Sequence, residues 1–515
     1  MRKNNRRKSM FWKPIVSKKG STLSGSNSFG PSSFHERETF GQTSESKRSI
    51  LSHPFSSHPL VNQVENQKLR TYEVEVKDKF DNVEALVRSL LNHTKRNDFV
   101  ERANNELKKE LGITLDNASL DLAGSTNLQF AFRDLYANIF FKLFLNVSGN
   151  FFRHDPLGGQ HVSGTLKKLL NAGYHAIGIA PCADGRLAHV VSYVLRLPYG
   201  LVRRKAHAGA LFDVSESVRN WVFVEHSRFR EGVPNKANEP TRYLKIAVYH
   251  YSKSDPLHQG CAAHGSDDHK AAEAALTKLR DFRQAIENRF GCGSTVETIL
   301  LGLNTDDDSL HVHIPDREGR VMINRYVDTK FLYEKTFGLD VNGARDLIKK
   351  EILECNAKHH ASLPEPGVVE VLSWFIENNF SQIEYVRHFE NGCYPDLGHA
   401  ERFIGIGDSF DEVQLRNLSY YSYLHTVEEG ANDIDVGVKI FKGLAVKKGL
   451  PIPIIIRCNY DGRVPGSKSR AIERAKRLEK ALQERYEDLY AYGLLKIMST
   501  LRDYKTFRPA ESLKL

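Results

Sequence analysis

"IGIAPCADGRLAH", residues 177–189, decides how this chain is read. The apolar start reads as a buried strand, and Cys182, Asp184 and Arg186 follow it at alternating positions. A thiol, a carboxylate and a guanidinium thus stand where a core strand ends. Upstream, "SGTLKKLLNAG" (163–173) reads as a helix with Ser163 as N-cap and Gly173 as its stop. Downstream, "RLAHVVSYVLR" (186–196) reads as a helix and "WVFVEHS" (221–227) and "LKIAVYHYS" (244–252) as strands. A long helix follows at "DDHKAAEAALTKLRDFRQAIENRF" (267–290). Strands alternating with helices predict an α/β fold around a mainly parallel sheet.

The C-terminal region repeats this order. "IGIAPCADGR" (177–186) recurs as "IGIGDSFDEV" (404–413), which sets Ser409 against Cys182, Asp411 against Asp184 and Val413 against Arg186. "PIPIIIRCNY" (451–460) answers the strand at 244–252 and puts Cys458 or Asn459 opposite His250. "LEKALQERY" (478–486) answers the helix end "FRQAIENRF" (282–290). The loop corresponding to "DPLHQGCAAHGSD" (255–267), which carries Cys261, is shortened in the second copy. The second copy therefore reads as a degenerate duplicate that keeps the fold without the chemistry.

The chain has 515 residues, which suits several domains. Residues 1–70 read as a disordered basic tail: the first twenty hold eight Lys/Arg and no acid, and a Ser/Gly-rich stretch with spaced aromatics follows. Residues 71–155 read as a helical N-terminal domain, 156–396 as the catalytic domain and 397–515 as the duplicate. Much of the net charge of +10 sits in the tail. The tail lacks the apolar core of a secretory signal, and no folded nucleic-acid module accompanies it. No stretch approaches membrane-span length; the most apolar, "NIFFKLFLNV" (138–147), is short and contains Lys142. Six scattered cysteines suit a reducing compartment.

Cys182, His250 and Cys261 form a Cys/His/Cys set suited to Zn²⁺, with three protein ligands leaving one position open. His264 stands three residues after Cys261 and competes with His250 as the nitrogen donor; with both, the site would be closed and structural. A phosphatase loop does not fit, because it needs five residues between Cys and Arg and three intervene here. His311 and His313 in "HVHIP" (311–315) share one face of a strand and read as a surface or core pair. Cys292, Cys355, Cys393 and Cys458 have no partners at ligand spacing. No spacing argument selects a proton shuttle among His189, His207 and His258.

Cys182-x-Asp184-x-Arg186 after a strand, with a later His and Cys, resembles the zinc motif of β-class carbonic anhydrases. The long spacing from His250 to Cys261, the helical N-terminal domain, the defunct copy and the basic tail resemble the carboxysome shell branch of that class. The resemblance implies one Zn²⁺ per chain on Cys182, His250 and Cys261, favouring His250 over His264. It also implies a catalytic dyad in which Asp184 accepts a hydrogen bond from the activated water and Arg186 pins Asp184. It further implies interconversion of CO₂ and bicarbonate in a carboxysome of the bacterial cytoplasm, supplying Rubisco. The site is expected where two domains meet, with the duplicate as partner of the live domain, in a homo-oligomer. The tail is expected to bind Rubisco or shell proteins. Arg203, Arg204 and Lys205 in "VRRKAHAG" (202–209) are expected either to grip a phosphorylated effector such as ribulose bisphosphate or to form a solvated basic loop. The alternative from another class is a structural scaffold protein with a closed zinc site and a recruiting tail.

Overall fold

A computed structural model describes residues 57–92, 98–120, 128–151, 161–198, 200–230, 242–408, 410, 414–506 and 510–513. Five helices open it: α1 (Gln63–Asp81), α2 (Val83–Leu91), α3 (Phe99–Leu111), α4 (Asn117–Leu120) and α5 (Leu128–Phe151). Helix α1 starts inside the stretch assigned to the tail. Its side chains Asn66 and Leu69 are fully buried, and His58 before it is 1% exposed, so the folded part begins earlier than residue 71. Sparse apolar residues concealed this, because one buried face of a polar helix needs few of them.

The central part runs α6 (His161–Asn171), β1 (Tyr174–Pro181), β2 (Val202–Arg204), α7 (Val214–Arg230), β3 (Arg242–Tyr251), α8 (Asp268–Phe290) and β4 (Val296–Asn304). It continues with β5 (Leu310–His313), β6 (Tyr326–Asp328), α9 (Thr329–Thr336), α10 (Val341–Lys358) and α11 (Pro366–Phe389). The sheet order is β2-β1-β3-β4-β5-β6, parallel from β2 to β4 and antiparallel beyond. Strands β3 and β4 are buried on nearly every residue, as a parallel sheet covered on both faces requires.

Three local expectations fail here. "WVFVEHS" lies inside helix α7, not in a strand: Ser217, Val218 and Trp221 supply a buried helical face that a short apolar run conceals. "RLAHVVSYVLR" is not an α-helix. It forms a 3₁₀ turn at Gly185–Leu187 and a π-helical turn at Val190–Val194, and its end at Arg196 has φ +48°. Tertiary contacts hold this segment: Ser192 Oγ donates to the Gln414 carbonyl and Tyr193 Oη to the Leu69 carbonyl. Ser163 lies within α6, which begins at His161, and so does not cap it; Gly173, at φ +89°, does lie just beyond the helix end.

The last part runs β7 (Phe403–Gly407), β8 (Ser419–Ser422), α12 (Val427–Leu444), β9 (Ile452–Tyr460), α13 (Ser467–Arg485), α14 (Glu487–Ala491), β10 (Leu495–Asp503) and β11 (Glu511–Ser512). Its sheet order is β11-β10-β9-β7-β8, parallel except at β11. Read from the other edge, β8-β7-β9-β10-β11 repeats β2-β1-β3-β4-β5 strand for strand, including the final antiparallel step. Ile177 pairs with Leu244 and Ile404 with Ile454, so this register sets Tyr460 opposite His250, not Cys458 or Asn459. The loop between strand and helix spans 252–267 in the first copy and 461–466 in the second. Ser409, Asp411 and Val413 lie outside the described residues.

The N-terminal helices share their core with the last part of the chain, not with the sheet that follows them in sequence. Phe80, Phe140 and Phe144 pack around Phe403, with ring centroids 6.4, 6.2 and 5.4 Å away. The Phe140 and Phe144 rings meet Phe403 edge-on, an arrangement that adds to plain area burial.

Candidate metal centre and active site

Strand β1 ends at Pro181, and Cys182 continues its line, donating its N–H to the Val248 carbonyl of β3 at 3.1 Å. His250 stands two residues further along β3, so the two side chains meet at the same end of the sheet. Cys261 comes from the long loop before α8. The sulfurs of Cys182 and Cys261 lie 3.9 Å apart, and the ligand atoms of Cys182, His250 and Cys261 are all within 4.8 Å of one another.

All three residues are buried, and His250 is 0% exposed with no hydrogen-bond partner on either ring nitrogen. Leaving such a polar group unsatisfied costs about 1–3 kcal/mol, so this donor set fits a cation that would satisfy it. The thiol pair points the same way. A shared hydrogen bond and burial push the Cys182 thiol well above its ordinary range, while the same bond pulls Cys261 down. Two adjacent sulfurs resist double ionisation unless a cation lies between them. The Gly209 N–H also points at Cys182 Sγ, at 3.2 Å. His264 is elsewhere: half-buried, its Nε2 lies 3.3 Å from the Gly209 carbonyl.

Asp184 and Arg186 form a buried bidentate pair. Arg186 Nε donates to Asp184 Oδ1 at 3.0 Å and Nη2 to Oδ2 at 2.7 Å, while the Arg186 N–H reaches Oδ1 at 2.9 Å. The remaining guanidinium nitrogen, Nη1, donates to the carbonyls of Gln259 (2.7 Å) and Leu397 (3.0 Å). Burial opposes the Asp184 anion, yet Arg186 and the nearby His399 and His250 outweigh it and hold the carboxyl well below its ordinary range. Asp184 Oδ2 lies 3.6 Å from His250 Nε2.

The site is closed by the second sheet. Tyr421 of β8 donates its N–H to the Ala183 carbonyl at 3.1 Å, and Asn417 to the Gly185 carbonyl at 2.7 Å. Glu401 Oε1 accepts from the Gly185 N–H at 3.0 Å and pairs with His399 Nδ1 at 2.9 Å. His399 Nε2 lies 3.9 Å from Asp184 Oδ2. Sequence reasoning passed over His399 and Glu401, which stand just before β7 with no motif around them. Only the repeat, which brings β7 beside the live strand order, hinted at that region.

Three family models match the chain in succession. They are those of carboxysome shell carbonic anhydrase: the N-terminal part over residues 58–152, the catalytic domain over 165–399 and the C-terminal part over 400–515. Curated relatives carry the same description. One from Hydrogenovibrio crunogenus is 56% identical over 100% of this chain and 97% of its own length. One from Prochlorococcus marinus MIT 9313 is 45% identical over 87% and 86%, and one from Halothiobacillus neapolitanus is 42% identical over 88% and 90%.

The chain belongs to the carboxysome shell carbonic anhydrase family.

Membership in that family assigns it the carboxysome as its setting and carbonic anhydrase chemistry as its activity. No described helix is long and apolar enough to cross a membrane. In this carbonic anhydrase the other histidines have separate employment. His189 Nε2 meets Asp308 Oδ2 at 2.6 Å, His207 lies 3.5 Å from Asp433, and His258 pairs with Asp255 at 2.8 Å. His311 stacks between Tyr251 and Tyr326, with centroids 4.6 and 4.0 Å away, and His313 Nε2 meets the Tyr249 hydroxyl at 3.0 Å. Cys292, Cys355, Cys393 and Cys458 join no metal-holding cluster among the described residues. The basic run 203–205 is not a three-residue phosphate grip. Arg203 is exposed, but Arg204 is 4% exposed beneath the Tyr421 ring, and Lys205 turns inward to pair with Glu216 beside Tyr423. Burial holds the Lys205 ammonium down to about 7.

Proposed function

We propose that this carbonic anhydrase is a zinc enzyme, with one Zn²⁺ per chain held by Cys182, His250 and Cys261 and with Asp184 and Arg186 as its catalytic dyad. The observation that carries the reading is His250: a fully buried imidazole without a hydrogen-bond partner, facing two thiols and set beside a locked carboxylate. Bound there, zinc supplies Lewis-acid activation of water near neutral pH.

The protein's own groups do the rest. Cys182 and Cys261 would hold the cation as thiolates whose two negative charges balance it, and the Gly209 N–H, which points at Cys182 Sγ, would support that charge. Asp184 stays ionised, so it can only accept hydrogen bonds. Arg186 occupies both of its oxygens from one side, which leaves Oδ2 with a free direction towards His250. Asp184 would orient the attacking water by accepting its hydrogen bond. Arg186, bonded to both Asp184 oxygens, would keep the carboxylate from swinging onto a bound metal. The second domain, through Tyr421, Asn417 and Glu401, keeps the 182–186 loop in this geometry.

Within the carboxysome, the CO₂ formed from bicarbonate would feed Rubisco. The tail, residues 1–70 in the sequence reading, would attach the enzyme to Rubisco or to shell proteins, and the chains would assemble as a homo-oligomer. Stopped-flow CO₂ hydration before and after treatment with a zinc chelator tests the core of the reading, with metal content measured on the same samples. Activity should vanish with the zinc and return when it is added back. Full turnover by a metal-free chain would refute it.

A further inference from the structure

Hydration of CO₂ releases one proton per turnover, and the reverse reaction consumes one. The water's electron pair forms the new C–O bond, an O–H bond breaks, and the proton must reach a buffer base outside. The dyad cannot carry it: Asp184 and Arg186 are 4% and 1% exposed, and Arg186 does not deprotonate.

His399 spans the gap. Its Nε2 lies 3.9 Å from Asp184 Oδ2, and its side chain is 25% exposed. Its Nδ1 meets Glu401 Oε1 at 2.9 Å, and the Glu401 side chain is 0% exposed and further tied by the Gly185 N–H. A buried carboxylate on Nδ1 fixes the tautomer and leaves Nε2 as the nitrogen that exchanges protons. The pair also straddles the family boundary, with His399 closing the catalytic domain and Glu401 opening the C-terminal one.

We propose that His399 is the proton-transfer residue between the reacting water and solvent, and that Glu401, from the degenerate copy, is the residue that positions it. This rests on the carbonic anhydrase reading above. The proton leaves the water and ends on His399 Nε2, then passes to a buffer base; dehydration runs the same path backwards. Burial disfavours the imidazolium and Arg186 repels it, but Asp184 and Glu401 outweigh both and hold His399 up to about 9. Around neutral pH it is therefore loaded, ready to donate in the dehydration direction. Hydration needs it emptied, at alkaline pH.

The test uses the full zinc-loaded chain. In His399→Ala, kcat should fall about tenfold or more in dilute buffer while kcat/KM stays within about twofold, because proton exchange follows the chemical step. Added imidazole should restore kcat. Independently of activity, NMR of histidine-labelled protein should contain a resonance titrating above the ordinary imidazole range that is absent in His399→Ala and titrates lower in Glu401→Gln. Unchanged kcat, or equal losses in kcat and kcat/KM without imidazole rescue, would overturn the proposal. Zinc content separates the two readings: a zinc-replete His399→Ala with full kcat removes the shuttle alone, whereas a zinc-free wild-type chain removes both.

Discussion

The backbone N–H of Tyr421 donates to the carbonyl of Ala183 at 3.1 Å, joining the edge of the second sheet to the residue between Cys182 and Asp184. With Asn417 on the Gly185 carbonyl at 2.7 Å, the second domain holds the peptide groups on both sides of Asp184. A copy without the Cys/His/Cys set thus forms a wall of the candidate site.

Arg186→Ala should keep zinc and lose most CO₂ hydration. It removes both guanidinium bonds to Asp184 and leaves the buried carboxylate with only the backbone N–H of residue 186 and the nearby His399 and His250, so it also lowers stability, by up to about 3–5 kcal/mol. Arg186→Lys should not rescue it, because an ammonium cannot bridge both oxygens and still reach Gln259 and Leu397. Stopped-flow rates with metal analysis check this; full activity in either variant would contradict the dyad.

One zinc per chain is expected by metal analysis. Cys261→Ser should lose metal and activity together, whereas His264→Ala should keep both, since His264 leans on the Gly209 carbonyl and not on the ligand set. Two zincs per chain, or metal loss in His264→Ala, would contradict the ligand assignment.

Truncation should separate the tail from the fold. Removing residues 1–56 should preserve kcat, zinc and Tm but abolish co-purification with Rubisco or shell proteins. That binding should weaken with added salt as exposed charges are screened. Removing 1–70 should lower Tm as well, because it strips out His58, Asn66 and Leu69, all buried. The loss of a buried side chain such as Leu69 costs about 2–5 kcal/mol. Equal Tm for the two truncations would contradict the placement of α1.

Acid should loosen the root of α1. Burial pushes the His58 imidazole, hydrogen-bonded to Thr336 at 3.0 Å, from 6.5 down to about 4. The folded chain thus holds it neutral while the unfolded chain takes the proton first. The stability involved is complete above pH 6.5 and is lost as pH falls from 6.5 to 4. At about 1.4 kcal/mol per pH unit the loss reaches up to about 3 kcal/mol. Urea midpoints should fall across this window, and less so in His58→Gln. Identical pH slopes would contradict the assignment.

The sequence by itself determined what is local or repeats. The Asp184–Arg186 spacing and the strand runs of β1, β3 and β9 were legible, because strand patterning and side-chain chemistry are written in consecutive residues, whereas His250 and His264 stayed in competition until the fold brought His250 to Cys182 and Cys261. The duplication was legible too, since it copies an order. Tertiary structure alone decided the rest. "WVFVEHS" is helical and "RLAHVVSYVLR" is not, because neighbouring surfaces, and not intrinsic preference, settle short apolar segments. That Phe80, Phe140 and Phe144 pack on Phe403 of the distant second sheet is a matter of which apolar faces meet, which no spacing encodes. Arg204 and Lys205 read as part of a phosphate grip or a solvated basic loop, yet turned inward for the same reason: aromatic rings and a carboxylate from elsewhere in the chain were there to receive them. His399 and Glu401 acquire their place beside Asp184 only when the segment just before β7 closes over a loop more than two hundred residues earlier in the sequence.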